Sequence, residues 1–168
     1  MGQKVSLVTF TEYYISPEYI GWLNDKVVMR YSNQRFYEHT LESSRRYLAS
    51  FEAADNLFLA IVFEGVLVGT MTAYISKSHQ VADLGILLSP QVWGQGFGLD
   101  AWQTLMNYLL SLGIRKITGG TLRCNTAMLS IMQRSGMIPD GVRRAQEMIE
   151  GQPMDILYFA KFNAERNV

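Results

Sequence analysis

Apolar residues in the first third of the chain form one short alternating stretch followed by two stretches with helical spacing. Residues 5–8 alternate weakly and predict a short strand. Ser16 followed by Pro17 is typical of a helix N-cap with proline at the first helical position, so we expect a helix over residues 17–30. A second helix is expected to begin near Thr40.

The middle third has the composition of β-strands. Residues 57–63 are almost continuously apolar, which is typical of a strand buried on both faces. Glu64 and Gly65 predict a tight turn into a second strand over residues 66–75. Residues 81–88 predict a third strand, which ends where a serine and a proline follow.

A glycine-rich turn over residues 94–98 then leads into a predicted helix over residues 99–112. Its apolar residues recur at spacings of four, four and three, which predicts a stripe facing the core. The residues of this stripe are Ala101, Leu105, Leu109 and Leu112.

The last third predicts a strand over residues 116–122, a helix opened by Asn125, and two strands near residues 141–149 and 154–162. Strands and helices in this order predict an α+β fold. We expect one domain over residues 1–168, with an antiparallel sheet and a parallel β-α-β unit late in the chain.

Composition excludes several classes of protein. Fifteen basic and fifteen acidic residues give a formal net charge of zero, which argues against a nucleic-acid partner or an acidic membrane surface. No run of about 20 apolar residues predicts a membrane span, and no signal peptide is evident, so we expect a cytoplasmic protein. The single Cys124 excludes an intramolecular disulfide, and no cysteine and histidine cluster predicts a metal.

The glycine-rich turn carries the clearest chemical signal. It joins a strand to a helix, and the first N–H groups of a helix have no intrahelical partner, so with the helix dipole they form a site for phosphate. Glycines let the backbone approach that ligand closely. The spacing of Gly94, Gly96 and Gly98 is too tight for a dinucleotide-binding fingerprint and lacks the ending of a P-loop, so a pyrophosphate held in another way is implied.

These residues resemble the hallmark of the GNAT superfamily of acetyltransferases, which is Gln or Arg, two residues, Gly, one residue, then Gly or Ala. The run from Gln91 to Gly96 matches it position by position, and residues 84–88 match the strand before it. Asn125 and residues 134–137 resemble the second signature. The resemblance implies a mixed, mostly antiparallel sheet of six to seven strands with splayed central strands, flanked by about four helices.

The resemblance also implies acetyl-CoA as the acetyl donor and direct attack by an amine in a ternary complex. The β-strand backbone would bind the pantetheine arm, the glycine-rich loop would hold the pyrophosphate, and the helix-opening asparagine would help to seat the cofactor. The expected cofactor contacts are Ile86, Leu87, Leu88, Gln91, Gly94, Gln95, Gly96, Phe97, Gly98, Leu99 and Asn125.

The groups that move protons are less clear. GNAT enzymes often use a tyrosine or a serine near the second signature as general acid, but Met132 and Met128 occupy those positions here. Tyr158 is the candidate that replaces them. Asp83 is the candidate general base, and His39 is a candidate base or substrate contact.

The acceptor also stays open at this point. The run from Trp22 to Asp25 is similar to a branch that acetylates ribosomal-protein N-termini, amino sugars, nucleotide-linked sugars and polyamines. We favour a small-molecule amine such as an amino sugar or nucleotide-linked amino sugar, with Trp22, Arg35 and Arg143 as substrate contacts. The alternatives are a protein N-terminus, a non-catalytic acetyl-CoA sensor and a structural domain without a cofactor. A homodimer is compatible with the resemblance.

Overall fold

The computed structural model describes residues 4–52 and 55–164. Within these residues, seven strands form one sheet, and four α-helices flank it. The strands are β1 (Ser6–Thr9), β2 (Leu57–Phe63), β3 (Val66–Ser76), β4 (Val81–Leu88), β5 (Lys116–Leu122), β6 (Ile138–Ile149) and β7 (Gln152–Phe162). The helices are α1 (Pro17–Asn24), α2 (Leu41–Glu52), α3 (Phe97–Ser111) and α4 (Thr126–Arg134).

The strands lie in the order β1-β2-β3-β4-β5-β7-β6, and every neighbouring pair is antiparallel except β4 and β5. Helix α3 makes the crossover between these two parallel strands, as a parallel connection requires. The predicted α+β fold with a mixed, mostly antiparallel sheet is therefore confirmed.

The parallel strands β4 and β5 are paired over only a short length. Their register runs from Val81 beside Lys116 to Asp83 beside Thr118, and there the pairing stops. Both strands continue beyond this point, β4 to Leu88 and β5 to its own end, without pairing with each other. The sheet thus opens into a V-shaped cleft, and the prediction of splayed central strands is confirmed.

The two faces of the sheet bury separate cores. Helices α3 and α4 cover one face, where Trp102 and Leu105 are among the most buried side chains. Helices α1 and α2 cover the other face with an aromatic cluster that includes Phe10, Trp22 and Phe58. Side chains alternate between the faces of a strand, so β2, β3 and β4 contribute to both cores.

The prediction of a helix over residues 17–30 is too long. Helix α1 begins at Pro17 as expected, with the Ser16 hydroxyl accepting a hydrogen bond from the Tyr19 N–H, but it ends at Asn24. The Asp25 carboxylate accepts hydrogen bonds from the N–H groups two and three residues later, at 2.7 and 3.1 Å. This local turn competes with the helix and ends it, a known tendency of aspartate.

The predicted stripe on α3 is wrong at one position. Ala101, Leu105 and Leu109 are buried, but Leu112 lies beyond the last helical residue and is 64% exposed. Helix α3 begins at Phe97, two residues earlier than predicted. Trp102 and Met106 complete its buried face instead.

Two glycines lie side by side within β5, and their packing explains their presence. A Cβ on Gly119 would lie 3.0 Å from the Trp102 ring, and a Cβ on Gly120 would lie 2.7 Å from the Tyr158 ring. Both faces of β5 are therefore covered by aromatic rings at this point. Within the described ranges, no helix has the length and apolarity to span a bilayer, and no group of three or more His, Cys, Asp or Glu side chains could hold a metal ion.

Candidate active site

Strand β4 presents its backbone to two different partners. The Ser89 N–H donates to the Val68 carbonyl at 2.9 Å, and a Cβ on Gly69 would overlap the Leu87 carbonyl. The backbone groups of residues 87 and 89 therefore face β3. Because these groups alternate in direction along a strand, those of Ile86 face the opposite edge, where β5 has splayed away.

Leu88 also faces this open edge, but only in part. Its carbonyl accepts a hydrogen bond of 3.1 Å from the indole Nε1 of Trp93. The edge of the cleft therefore offers the N–H and carbonyl of Ile86 and the N–H of Leu88. An extended ligand with its own amide groups could pair with them as an additional strand would.

The glycine-rich loop at the end of the cleft has the geometry of an anion site. Gly94 and Gly96 have φ angles of +74° and +82°, which side chains rarely tolerate. Among the described residues, no backbone group accepts a hydrogen bond from the N–H groups of residues 94–99, the last three of which form the first turn of α3. These donors lie at the positive end of the α3 dipole.

Lys4 adds a cation that the sequence did not reveal. Its Nζ donates to the Gln95 carbonyl at 2.7 Å, and the N–H groups of Lys4 and Val5 donate to the Asp100 carboxylate at 2.8 and 2.9 Å. The Lys4 ammonium thus lies against the glycine-rich loop, 3.4 Å from where a Cβ on Gly96 would be. A separation of more than 90 residues hides this contact from any local pattern.

Three of the predicted polar cofactor residues shape the cleft through contacts with the protein. The Gln95 side chain donates to the Gln91 carbonyl at 2.8 Å, which folds the loop on itself. The Asn125 Oδ1 accepts from the Met128 N–H at 3.3 Å and so caps α4, while its Nδ2 donates to the Thr121 hydroxyl at 3.0 Å. Asn125 therefore ties α4 to the far wall of the cleft.

A cavity of about 540 Å³ lies on the other face of the sheet, between β3 and β4 below and the α1–α2 region above. Its floor contains Thr70, Thr72, Gly85 and Leu87, which share one face of the sheet by register. Its walls and roof contain Tyr19, Leu23, Met29, Ser32, Gln34, Tyr37, Glu38, His39, Ser43, Ser44, Arg46 and Tyr47. The cavity meets β4 at the residues that also border the cleft.

His39 lies in the wall of this cavity and is held firmly in place. The Asn24 side chain donates to its carbonyl at 2.8 Å and accepts from its N–H at 2.9 Å, so the end of α1 clamps the loop before α2. The His39 Nε2 lies 3.1 Å from the Gln34 carbonyl. A carbonyl can only accept, so Nε2 carries the proton, and in a neutral ring Nδ1 is the acceptor.

Asp83 lies at the apex of the cleft, on the same face as Gly85. Its Oδ1 accepts a hydrogen bond of 2.6 Å from the Thr118 hydroxyl on β5. The side chain keeps access to solvent at one side, but crowding by its neighbours desolvates the carboxylate and raises its pKa above the usual aspartate value. The Thr118 hydrogen bond acts in the opposite direction and lowers that pKa. The cross-strand neighbour Tyr74 shares a 3.0 Å hydrogen bond with Tyr47 of α2.

Comparison with known proteins decides the family. The GNAT acetyltransferase domain family matches residues 5–138, which is most of the chain. This chain belongs to the GNAT acetyltransferases. The Bacillus licheniformis protein named uncharacterized N-acetyltransferase p20 is 28% identical over 119 residues, covering 69% of this chain and 67% of that protein.

Solved structures share the fold at low identity. The ribosomal-protein α-N-acetyltransferase RimL in complex with coenzyme A superposes with a TM-score of 0.87 at 18% identity, covering 96% of both chains. Spermidine N-acetyltransferase from Vibrio cholerae, in complex with coenzyme A and spermine, gives 0.84 at 16% identity and the same coverage. The microcin C7 self-immunity acetyltransferase with acetyl-CoA and AMP gives 0.83 at 16%, covering 95% of this chain and 93% of that one.

The chain is thus an acetyl-CoA-dependent GNAT N-acetyltransferase, and its cleft fits that donor. Unpaired strand edges at Ile86 and Leu88 suit the amide groups of the pantetheine arm, and the free N–H groups of residues 94–99 suit the diphosphate. Lys4 supplies positive charge beside them.

Tyr158 lies on β7, beside the strand β5 that forms one side of the cleft. Tyr158 pairs with Gly120 of β5, and its ring covers that glycine. The Arg143 guanidinium lies 5.2 Å from the centre of the ring. Arg143 itself is on the exposed strand β6, outside the residues that line the 540 Å³ cavity. Met132, at the position of the usual family tyrosine, is buried in the core.

Trp22 and Arg35, both predicted as substrate contacts, make contacts with other residues of the protein. Trp22 is 7% exposed and packs edge-to-face on Tyr19 in the aromatic core. The Arg35 guanidinium donates to the carbonyls of Ser32 and Met148 at 2.8 and 3.2 Å. Neither residue lines the 540 Å³ cavity, so both stabilise the walls around it.

The Asp155 carboxylate, in the last hairpin, has both of its oxygens occupied. Oδ1 accepts from the Ala145 N–H at 2.9 Å, and Oδ2 accepts from Arg123 at 2.8 and 3.2 Å. The Ala145 hydrogen bond, followed by that of Arg123, lowers the Asp155 pKa. Such a carboxylate is a weak base, and it pins the bulge of β6 to β7 instead.

Proposed function

We propose that this acetyltransferase transfers the acetyl group of acetyl-CoA to the primary amine of a small polar molecule, such as an amino sugar or nucleotide-linked amino sugar. The observation that carries the proposal is the 540 Å³ cavity, which meets β4 at Gly85 and Leu87 from the face opposite α3. Donor and acceptor would then approach the same strand from two sides, and the amine would attack the thioester directly in a ternary complex.

The donor supplies an activated acetyl group, and the protein supplies the positioning. The N–H and carbonyl of Ile86 hold the pantetheine arm along the open edge of β4, and the backbone from Gly94 to Leu99 holds the diphosphate. An N–H on the open edge of β4 also polarises the thioester carbonyl and stabilises the developing negative charge, as in an oxyanion hole. Asn125 fixes the distance between α4 and the cleft through its two hydrogen bonds.

Asp83 is the proton acceptor in this proposal. Only a neutral amine can attack, and the carboxylate of Asp83 lies on the cavity face of β4, two residues or about 7 Å from Gly85. Desolvation raises its pKa, which makes it a stronger base than an ordinary aspartate. His39 is the second candidate, with Nδ1 as the accepting atom and with its position in the wall of the cavity as support.

Tyr158 is the proposed proton donor to the departing thiolate. Its ring lies over Gly120 of β5, which borders the cleft. Met128 and Met132 have no proton to give, and Met132 has no access to the cleft because it is 1% exposed.

The size and charge of the cavity favour a small, polar, nearly neutral acceptor. Among the described residues that line it, Glu38 and Arg46 carry opposite charges, so the lining lacks the several carboxylates that a polyamine would require. Arg46 could pair with a single phosphate of a nucleotide-linked substrate. A protein N-terminus is the second candidate, because RimL shares the fold over nearly the whole chain.

The experiment is a thiol-release assay with acetyl-CoA and four acceptors at equal concentration. The acceptors are glucosamine, a nucleotide-linked amino sugar, spermidine and a short peptide with a free N-terminal serine. We expect the highest kcat/KM with one of the two sugars. A preference for the peptide by about 10-fold or more would replace the proposal with the second candidate, and a preference for spermidine would overturn both.

A further inference from the structure

Ser44 is a buried hydroxyl group without a hydrogen-bond partner. It lies in the second turn of α2 and is 5% exposed, yet its Oγ makes no hydrogen bond within the described part of the chain. Ser44 is one of the residues that line the 540 Å³ cavity. Nothing in the proposed mechanism uses this group.

The neighbours of Ser44 explain why its hydroxyl group finds no hydrogen-bond acceptor within the helix. A serine inside a helix usually donates to the carbonyl four residues earlier, which here belongs to Thr40. That carbonyl already accepts the Ser44 N–H at 3.0 Å and the Ser43 hydroxyl at 3.1 Å. A carbonyl oxygen has two lone pairs, so both of its acceptor positions are taken.

An unsatisfied hydroxyl at this position is unfavourable for stability. Burying it without a partner disfavours the folded state, and alanine would also have the higher helix propensity. A polar group that destabilises its own helix and lines a cavity is typical of a residue that contacts a ligand.

Two further hydroxyl groups lie on the floor of the same cavity. Thr70 and Thr72 are on the cavity face of β3, and within residues 4–52 and 55–164 neither hydroxyl has a hydrogen-bond partner. A Cβ on Gly85 would lie 2.7 Å from the Thr72 Oγ1, so the glycine keeps the space beside that hydroxyl open. The roof and the floor of the cavity therefore both offer unused hydroxyl groups.

We propose that Ser44 is a specificity-determining residue that hydrogen-bonds a hydroxyl group of the acceptor, with Thr70 and Thr72 receiving others from below. The proposal rests on the proposed function, because it requires the acceptor to occupy this cavity. It narrows the substrate class to amines that carry several hydroxyl groups. A site of this kind discriminates strongly against an analogue that lacks them, because its buried polar groups would be left unpaired.

The test compares two amines with the same ring, glucosamine and 3-aminotetrahydropyran, which lacks the hydroxyl groups. Wild-type protein should prefer glucosamine in kcat/KM by at least about 10-fold. Ser44→Ala should reduce that preference by about 5- to 100-fold, the range expected for one lost hydrogen bond in a buried site. Ser50→Ala is the matched control, since this α2 serine lies outside the cavity and donates to the Tyr47 carbonyl.

A thermal melt without any acceptor gives a second readout. Ser44→Ala should raise Tm, because it removes an unsatisfied buried group, whereas Ser50→Ala should lower Tm or leave it unchanged. If wild-type protein transfers acetyl to neither amine, both the proposed function and this inference are overturned. A wild-type preference for glucosamine that survives Ser44→Ala would overturn the inference alone, and so would a lower Tm of Ser44→Ala.

Discussion

The Thr118 hydroxyl donates a 2.6 Å hydrogen bond to the Asp83 carboxylate at the last residue pair that joins β4 to β5. The same contact marks the apex of the cleft and holds the proposed proton acceptor in place. Beyond it the two strands separate, so Asp83 lies at the apex of the donor cleft, two residues along β4 from Gly85 in the floor of the acceptor cavity. The chemistry of this pair should therefore be visible in the pH dependence of the reaction.

Replacement of Thr118 by valine should move the acid limb of the kcat/KM profile to higher pH. The Asp83 pKa is already raised by desolvation, and the Thr118 hydrogen bond lowers it, so loss of that bond raises it further. The carboxylate must be ionised to accept a proton, so activity is lost as pH falls through this pKa. Profiles measured with one acceptor for wild type, Thr118→Val and Thr118→Ser give the comparison, and the serine variant should resemble wild type.

Asp83→Asn should lower kcat by about 10²- to 10⁴-fold with little change in coenzyme A affinity. If Thr118→Val leaves the acid limb at the wild-type pH and Asp83→Asn keeps a near-normal kcat, Asp83 is not the base. His39 would then be the proton acceptor. His39→Gln should then lower kcat by about 10²- to 10⁴-fold.

Gly85→Ala should impair acceptor binding more than donor binding. The added methyl group would meet the Thr72 hydroxyl at 2.7 Å and fill the floor of the cavity. We expect KM for the amine to rise by about 10-fold, as for a contact worth 1–2 kcal/mol, while the Kd of coenzyme A changes little. Gly141→Ala is the control, because a Cβ there has nothing within 4 Å. Equal losses of donor and acceptor affinity would contradict the separation of the two sites.

Lys4→Met should weaken coenzyme A binding by about 3- to 10-fold at low salt. The Lys4 ammonium lies beside the loop that we expect to hold the diphosphate, and its charge would be lost while its stem is retained. The difference between Lys4→Met and wild type should shrink as salt is added, since an exposed charge is screened. Titration calorimetry at two salt concentrations measures this.

Lys77→Met supplies the control for Lys4, because Lys77 pairs with Asp55 at the opposite end of β4 from the glycine-rich loop. An effect of Lys4→Met that is independent of salt would indicate that Lys4 only shapes the loop through the Gln95 carbonyl.

Asp155→Asn should lower Tm near neutral pH but not in strong acid. The folded-state pKa of Asp155 is lowered, so its stabilising contribution is present above the unfolded value of about 3.9 and is lost as pH falls through the folded value. Melting curves from pH 7 downward should therefore show the variant and wild type converging. Asp55→Asn, in an exposed ion pair, should show a smaller difference throughout. A constant difference at every pH would argue against the charge of Asp155 as the cause.

Local patterns predicted most of the fold. The runs that became β2 and β4 were continuous enough to fix their bounds, and Asn125 was recognised as the residue that opens α4. The hydrophobic pattern gave the wrong helix end where a side-chain hydrogen bond changed the course of the backbone. The Asp25 carboxylate ended α1 early, although the apolar spacing continued beyond it.

The donor side of the proposed site can be predicted from the sequence because its residues form one continuous motif. The acceptor side cannot, because its parts come from distant elements. Ser44 is notable only because the Thr40 carbonyl is fully used, and Gly85 only because Thr72 lies beside it on the neighbouring strand. Arg35 was predicted as a substrate contact from a resemblance to amino-sugar acetyltransferases, but the carbonyls that accept its hydrogen bonds come partly from β6.

The short pairing between β4 and β5 makes this sheet two half-sheets joined by a narrow seam. Four strands lie on one side of this seam and three on the other, and Asp83 and Thr118 are its last residue pair. A donor molecule bound in the cleft would continue the pairing between β4 and β5 through hydrogen bonds of its own amide groups. The bound donor would then stabilise the contact between the two half-sheets. Without it, backbone amide hydrogens along β4 and β5 should exchange faster than those anywhere else in the protein interior.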